Sequence, residues 1–598
     1  MPLIFLALLE GGLRLAQYGS DYRLFIPDAN HPGYLVMNPE ASKRYFTHQQ
    51  NATVGNQEPF ASTKPEGTFR IFVLGESTTI GYPYFHNGSF HRWLQYRLNQ
   101  SIPGITFEIV NVSLTAVNSY TMYGFAKEVV QYQPDAVLIY GGHNEYYGAL
   151  GVGSTSALFR SPSLVHALMN LRGLRVVQLF SNLTSPFSSK SVDLRENLMK
   201  RMAADQQIAF GSKEYQQGID QFSTNLHELC GLFSEKQIPV LISTLVSNEK
   251  DLKPFIGQDA KNFYQRGQTS WNQQHFAEAK QWFIRAKDAD LLRFRAPEAM
   301  NEIIQKLPAR YSNVSIVDTK AFFEKYSPEA TLGKETLLEH VHPNLLGYAL
   351  LSNAFYEGLK KRKLITPQPE MSFAALRQQM PITPIDSLAG AYEIMILKEG
   401  WPFNEPMPPE ENRPKTPEEE LAGGLAVKQI SWTDAQVKLA DIYLKNNNMA
   451  GARKVVEGLS LEYPLENRYM VQAGKLNLAL QQTQQAIYYF KKAFAMESSI
   501  ESAQPLFITL LKEDRPEEAL AYLNYTVNTK PSLRELQSFT QQLIKLKTAF
   551  RSDSLNANLC NQIASLYLRF SNQDAATIYL KKAKRLNHNH YDYGKYNH

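Results

Sequence analysis

The fold is decided by the stretch RIFVLGESTTIGYPY, residues 70–84. Strand-forming residues run into a glycine, and Ser77 then stands where the strand ends and the chain must turn. Such a serine is either a nucleophile held at the end of a strand or an ordinary turn residue. Only residues far downstream can decide between the two.

Short β-type runs alternate with longer helix-type runs on both sides of this stretch. The order is FRIFVLG, SFHRWLQYRLNQ, FEIVNVSL, YTMYGFAKEVVQYQ and DAVLIYGG, followed later by the strands IPVLIST and VSIVD. A β-α-β-α-β order predicts a parallel sheet covered by helices on both faces. One α/β domain at residues 59–363 accounts for all of these segments.

Length and composition exclude several classes of protein. A chain of 598 residues is too long for one core, and 20% charged with 43% hydrophobic residues is typical of globular domains. The net charge of +5 includes no long Lys/Arg block, so we do not expect nucleic acid as a partner. Two distant cysteines, Cys230 and Cys560, cannot build a disulfide framework or a cysteine zinc site.

The N-terminus carries a short apolar run, Leu3 to Leu9, that stops at Glu10. A membrane-spanning helix needs roughly 20 apolar residues. We therefore interpret residues 1–20 as the second half of a membrane anchor whose first half lies upstream; a short core-packing helix is the alternative. The corresponding location is membrane-associated and extracytoplasmic, with the cytoplasm as the alternative.

A proline-rich segment marks a domain boundary. Residues 402–417 hold six prolines, which remove backbone donors and favour an extended chain. Residues 364–415 are therefore predicted to be a linker. Thr416 and Glu419 fit the N-cap and the acid of a capping box, so a helix is expected to begin there.

The C-terminal part, residues 416–598, contains a repeat. Ala486 follows Ala452 after 34 residues, and Ala519 follows after another 33. This spacing resembles the tetratricopeptide repeat, in which helical hairpins bury their faces by stacking. The resemblance implies an all-α domain that binds a protein partner or a polymer; an unrelated helical bundle is the alternative.

One further hairpin of the same pattern, residues 259–290, lies between two strands of the α/β domain and carries Ala279 and Ala286. It is predicted to be an insertion. Arg293 and Arg295, which follow it, are candidates for holding a substrate carboxylate or phosphate. Surface ion pairs are the favoured role for both.

Candidate partners for Ser77 lie near other strand ends. A serine hydroxyl needs a base, a carboxylate that orients the base, and donors for the developing oxyanion. Asn144 follows the third strand, and LLEHVHPNLLGY supplies Glu339 and His342 three residues apart. Pro343 favours an extended backbone at His342, which places the imidazole in a loop at the sheet edge.

Taken together, these residues resemble the motifs of the SGNH (GDSL-type) hydrolase superfamily. GES carries Ser77, NVSLTA carries Ala116 at the family's glycine, GHNE carries Asn144, and EHVH carries Glu339 and His342. The resemblance covers about half of the chain. It implies a three-layer α/β fold with a parallel sheet.

The sequence departs from the family pattern at several of these positions. Glu76 and Glu145 replace aspartates outside the catalytic set, and Glu339 replaces the triad aspartate. Ala116 keeps the backbone N–H that the glycine provides, on condition that alanine tolerates the local backbone conformation. His340 is a rival base, and the spacing of the family's DxxH motif selects His342.

The resemblance implies a serine ester hydrolase that works through an acyl-enzyme, without a metal or an organic cofactor. His342 would be the general base and Glu339 its orienting group. Ser77, Ala116 and Asn144 would form the oxyanion hole. The expected substrate is a carbohydrate or lipid ester; an acyltransferase with the same triad and a non-catalytic repeat scaffold are the alternatives.

Overall fold

The computed structural model describes residues 2–154, 161–188, 197–203, 206–409 and 412–593. The chain divides into two compact units. Unit 1 consists of Met1–Met380 and Pro384–Gln429, and unit 2 of Pro381–Thr383 and Ile430–His598.

Unit 1 is built on a five-stranded parallel sheet with the strand order β5-β4-β6-β7-β8. A three-stranded antiparallel sheet, β1-β2-β3, precedes it in sequence. The strands are β1 Phe25–Pro27, β2 Tyr34–Met37, β3 Phe60–Ala61, β4 Thr68–Gly75, β5 Thr106–Asn111, β6 Ala136–Tyr140, β7 Val240–Ser243 and β8 Val314–Val317.

The helices of unit 1 lie between and after these strands. They are α1 Pro2–Leu15, α2 Ser77–Ile80, α3 Phe90–Ser101, α4 Ser119–Val129, α5 Pro162–Arg172, α6 Arg175–Ser188, α7 Leu198–Ala203, α8 Lys213–Glu235, α9 Gln258–Asn272, α10 Phe276–Ala289, α11 Glu298–Lys306, α12 Thr319–Glu324, α13 Leu345–Lys361, α14 Phe373–Gln379, α15 Pro384–Glu399 and α16 Pro417–Ala426. Within the described ranges, every helix is too short or too polar to cross a bilayer.

The sheet is covered on both faces, as the sequence predicts. All residues of β6 and β7 are buried, which is typical of parallel strands that lie between two helical layers. Helix α3 packs with α13 in one layer, and α4 packs with α8 in the other. The α/β fold class with a three-layer parallel sheet is therefore confirmed.

Two predicted boundaries differ from the structure of unit 1. The antiparallel sheet places residues 25–61 in the unit, although residue 59 is the predicted start. Residues 364–415 are not simply a linker, since α14 and α15 form there and bury Leu376 and Ile385. Helix α16 begins at the predicted capping box, yet it belongs to unit 1 because it packs against α15.

The inserted hairpin is present as α9 and α10, between β7 and β8. The two helices pack against each other around Tyr264, Ala279, Phe283 and Ala286. An added Cβ at Gly267 would come within 2.7 Å of the Phe283 ring, so glycine allows the close approach of the two helices.

Unit 2 is all-helical. Its helices are α17 Trp432–Lys445, α18 Met449–Glu462, α19 Asn467–Ala479, α20 Thr483–Met496, α21 Ile500–Lys512, α22 Pro516–Thr529, α23 Arg534–Ser552, α24 Ala557–Arg569 and α25 Gln573–Tyr593. Each helix packs against the next one in sequence along the unit. The repeated alanines Ala452, Ala486 and Ala519 are fully buried, as expected for small residues where paired helices touch.

Candidate active site

Ser77 is the first residue of α2, directly after β4. A Cβ at Gly75 would overlap the Tyr140 carbonyl and the Thr79 side chain, so only glycine fits at this strand end. The short helix then points its N-terminus at the carboxyl edge of the sheet. This local geometry leaves Ser77 half-buried at the edge where ligands bind in such sheets.

His342 approaches Ser77 from a loop that is closed by an isolated bridge between Leu337 and Pro343. Asn344 caps α13 by accepting a hydrogen bond from the N–H of Gly347 at 2.9 Å. The loop brings His342 Nε2 within 2.8 Å of Ser77 Oγ, although 265 positions separate the two residues. The predicted nucleophile and base are thus in hydrogen-bonding contact.

Glu339 lies on the other side of the imidazole. Its Oε1 contacts His342 Nδ1 and also accepts the backbone N–H of His342 at 2.9 Å. Its Oε2 accepts the backbone N–H of His340 at 2.6 Å and contacts His340 Nδ1. The buried carboxylate is therefore held by two backbone donors and by the His342 imidazole.

The surroundings of His342 keep the imidazole neutral. Burial lowers the pKa of His342 below its ordinary value, and the Tyr82 ring packs edge-on against the imidazole at 4.8 Å between centroids. With Nδ1–H directed at Glu339, Nε2 carries the lone pair and can accept the Ser77 hydroxyl proton. This arrangement can activate a serine nucleophile.

The loops that carry Ala116 and Asn144 follow β5 and β6, the two neighbours of β4. The N–H of Ala149 donates to the Ala116 carbonyl at 2.9 Å, and the N–H of Gly148 donates to the Asn144 carbonyl at 2.6 Å. Ala116 has a φ of +57°, in the left-handed region that favours glycine. Ala116 therefore keeps its backbone donor in a conformation that costs about 1–2 kcal/mol for an L-residue.

Glu76 and Glu145 are buried and hydrogen-bond across these loops. Glu76 accepts the N–H of Asn144 at 3.0 Å, and Glu145 accepts the backbone and hydroxyl donors of Ser119 at 3.1 and 2.6 Å. Burial raises the pKa of Glu76 to about 8 and the pKa of Glu145 to about 7. Both positions thus fix the loops of the site.

His340, which the sequence analysis named as the rival base, and His143, which it did not single out, also lie at the site. His340 lies among the rings of Phe255, Phe294 and Phe403, with centroid separations of 6.4, 6.1 and 5.6 Å. His143 is buried, and its Nδ1 accepts the N–H of Ala296 at 3.3 Å. The feature of the sequence that could have identified His143 is its position beside Asn144 in the GHNE motif.

The arginines after the hairpin are not in surface ion pairs, contrary to the favoured prediction. Arg293 is buried and donates to the Ile208 carbonyl at 3.0 Å. Arg295 is also buried and donates to the Asn248 carbonyl at 2.8 Å and to Asp290 at 3.2 Å. The loop that carries both arginines folds inward, and its Phe294 ring packs against His340. The hydrogen bonds of the two guanidiniums hold this loop in place.

The proline-rich segment also reaches the site. Phe403 packs against His340 and, edge-on at 5.2 Å, against Phe255. Residues 402–417 were predicted to be an extended boundary segment, and the start of that segment is instead a packing element of unit 1.

Glu339, His340 and His342 lie close enough together to share a metal ion. The His342 imidazole, however, directs Nδ1 at the carboxylate, and its Nε2 contacts Ser77. This hydrogen-bond pattern is typical of a serine triad.

Searches with the sequence found no matching family model and no matching curated protein. Solved structures with similar folds include a lipase/acylhydrolase from Enterococcus faecalis, at 15% identity over 51% of this chain and all of that chain, with a TM-score of 0.26. A GDSL-like lipase from Bacteroides thetaiotaomicron is 11% identical over 51% of this chain and 93% of that chain, with a TM-score of 0.26.

A second group of matches consists of helical-repeat proteins. YrrB, described as a TPR protein with an unusual peptide-binding site, is 16% identical over 29% of this chain and 93% of that chain, with a TM-score of 0.18. The matches therefore include both kinds of protein that the sequence resembles.

Proposed function

We propose that the protein is a serine ester hydrolase that acts on a carbohydrate or lipid ester through an acyl-enzyme. The observation that carries the proposal is the continuous contact from Ser77 Oγ through the His342 imidazole to the Glu339 carboxylate. These side-chain contacts support the proposal of a serine hydrolase.

The reaction begins with attack of Ser77 Oγ on the ester carbonyl carbon, while His342 Nε2 takes the hydroxyl proton. Glu339 stabilises the imidazolium that forms. The backbone N–H groups of Ser77 and Ala116 and the side-chain amide of Asn144 are the proposed donors to the oxyanion.

Collapse of the tetrahedral intermediate releases the alcohol, which takes its proton from His342. A water molecule then attacks the acyl-serine, with His342 again acting as base, and the acid is released. Desolvation of the buried His340 and His342 favours neutral imidazoles, so the base is ready at neutral pH.

The test is hydrolysis of p-nitrophenyl esters of increasing chain length by the parent protein and by Ser77→Ala. We expect Ser77→Ala to abolish turnover and labelling by an active-site serine probe, with peptide mapping placing the label on Ser77 in the parent. Ser62→Ala, at an exposed serine, is the matched control and should keep full activity. Unchanged turnover in Ser77→Ala would show that the protein is not this hydrolase.

Adding an acetylated oligosaccharide or a sugar acceptor to the assay tests the finer assignments. Release of acetate from the oligosaccharide supports a carbohydrate ester as substrate. Acyl groups recovered on the acceptor sugar would instead identify a transferase.

We also propose that unit 2 binds a protein partner or a polymer, since stacked helical hairpins present an extended surface. Ser77, Glu339 and His342 all belong to unit 1. Removing residues 430–598 is therefore expected to leave hydrolysis of small esters intact and to abolish capture of the partner. The membrane-associated, extracytoplasmic location stays a prediction.

A further inference from the structure

Helix α1 exposes large apolar side chains around its whole circumference. Leu3 is 81% exposed, Phe5 65% and Leu8 71%, and the segment PLIFLALL at residues 2–9 contains no polar side chain. A helix that is apolar on every side is adapted to an apolar medium around it, whereas a helix that docks in a protein groove needs one apolar face. Water is an unfavourable environment for this segment.

The C-terminal part of α1 and the residues that follow it are hydrogen-bonded to α6. The N–H of Val176, in the first turn of α6, donates to the Glu10 carboxylate at 2.9 Å. Asn182, further along α6, donates to the Tyr18 hydroxyl at 3.1 Å. Glu10 therefore ties α1 to the N-terminal end of α6, and residues 2–8, which precede it, are all exposed.

The turn between α5 and α6 precedes that same end of α6 and carries exposed leucines. Leu171 is 51% exposed and Leu174 is 38% exposed. These two side chains extend the apolar surface from α1 to the body of unit 1.

Charge around this surface is positive. Residues 2–20 and 161–183 together contain three arginines, Arg14, Arg172 and Arg175, and a single acid, Glu10. Arg14 forms an ion pair with Glu10 at 2.7 Å, so the surplus positive charge is that of Arg172 and Arg175. Arginines beside an apolar segment suit the headgroup layer of a bilayer that contains anionic lipids.

We propose that residues 2–9 insert into one leaflet of a lipid bilayer, with the α5–α6 turn resting on its surface. Eight helical residues span about 12 Å, which is less than half of the roughly 30 Å hydrocarbon core. These eight residues therefore reach less than halfway across the core. Arg14 and Arg175 lie at the headgroups and hold unit 1 against the surface, whereas Arg172 donates inward to the Arg44 carbonyl and the Thr47 hydroxyl.

The test is flotation of the full-length protein with phosphatidylcholine vesicles, with and without phosphatidylglycerol. We expect flotation with both, stronger with the anionic lipid and weaker at high salt. The triple change Leu3→Ser, Phe5→Ser, Leu8→Ser should reduce the partition coefficient more than tenfold, which corresponds to about 1.4 kcal/mol.

Two controls isolate the effect. Val54→Ser with Ile105→Ser and Ile396→Ser removes exposed apolar side chains outside α1 and should leave flotation unchanged. Ser77→Ala should float like the parent, so failure of the hydrolase proposal does not affect this result.

The arginines are tested separately. Arg14→Gln with Arg175→Gln should lower binding to anionic vesicles and leave binding to phosphatidylcholine vesicles unchanged.

Three results would overturn the proposal. One is a parent protein that floats with neither vesicle, and another is a serine triple variant that floats like the parent. The third is a parent that does not float but forms a dimer which the triple variant loses, because α1 would then bind a second copy of the chain.

Discussion

Gly148 offers a direct test of the oxyanion loops. Its N–H donates to the Asn144 carbonyl, and it adjoins Val117, the neighbour of Ala116. An alanine Cβ at this position would come within 2.7 Å of the Asn144 carbonyl oxygen and 2.8 Å of the Val117 carbonyl oxygen. Both obstacles are backbone atoms, so Gly148→Ala can be accommodated only if the loops move apart.

The size of the displacement follows from these distances. Ordinary Cβ contacts begin near 3.4 Å, so the Asn144 loop must retreat by 0.7 Å, from 2.7 to 3.4 Å, or share the movement with the Val117 loop. A misplacement of about 1 Å can cost roughly a hundredfold in rate. We therefore expect Gly148→Ala to lower kcat about 10- to 100-fold, with a loss of about 1–3 kcal/mol of stability from overpacking.

The assay measures kcat and KM on a short-chain p-nitrophenyl ester, with active-site titration to correct for the folded fraction and a thermal melt for stability. Gly104→Ala is the matched control, since Gly104 is exposed and its added Cβ would meet nothing within 4 Å. A folded Gly148→Ala protein with kcat within about twofold of the parent would refute the reasoning that these loops position the oxyanion donors.

Three further predictions concern ionisation and backbone strain. Because burial lowers the pKa of His342, the acid limb of the kcat/KM profile should lie below pH 6.5, and His340→Gln should keep a single limb there. Folding raises the pKa of Glu76 from 4.5 to about 8, so the stability that its neutral form contributes is complete below pH 4.5 and is lost as the pH rises through 8. The free energy of unfolding of Glu76→Gln, measured with urea, should therefore change less with pH between pH 4.5 and 8 than that of the parent. The two slopes should differ by up to about 1.4 kcal/mol per pH unit. Ala116→Gly should raise the free energy of unfolding by about 0.5 kcal/mol, measured with urea at fixed pH. Glycine relieves the strain of the left-handed φ, and this gain outweighs the extra conformational freedom of glycine in the unfolded chain. A lower free energy of unfolding would show that the strain is absent.

The order of the elements and the strand ends that carry chemistry could be predicted from the amino-acid sequence alone. Strand and helix periodicities are set by neighbouring residues, so β4, β5 and β6 could be predicted from the printed letters. Parallel strands of one sheet end at the same edge, which places Ser77, Ala116 and Asn144 near one another. The 34-residue spacing of small residues likewise predicted the helical repeats.

The way in which distant segments complete the site became visible only in the folded chain. The contact between His342 and Ser77 joins residues 265 positions apart, and no local pattern encodes such a distance. The burial of Arg293 and the packing of Phe403 against His340 were missed for the same reason. Burial and side-chain pairing depend on which surfaces the whole chain brings together, whereas the sequence reports directly only on neighbours along the chain.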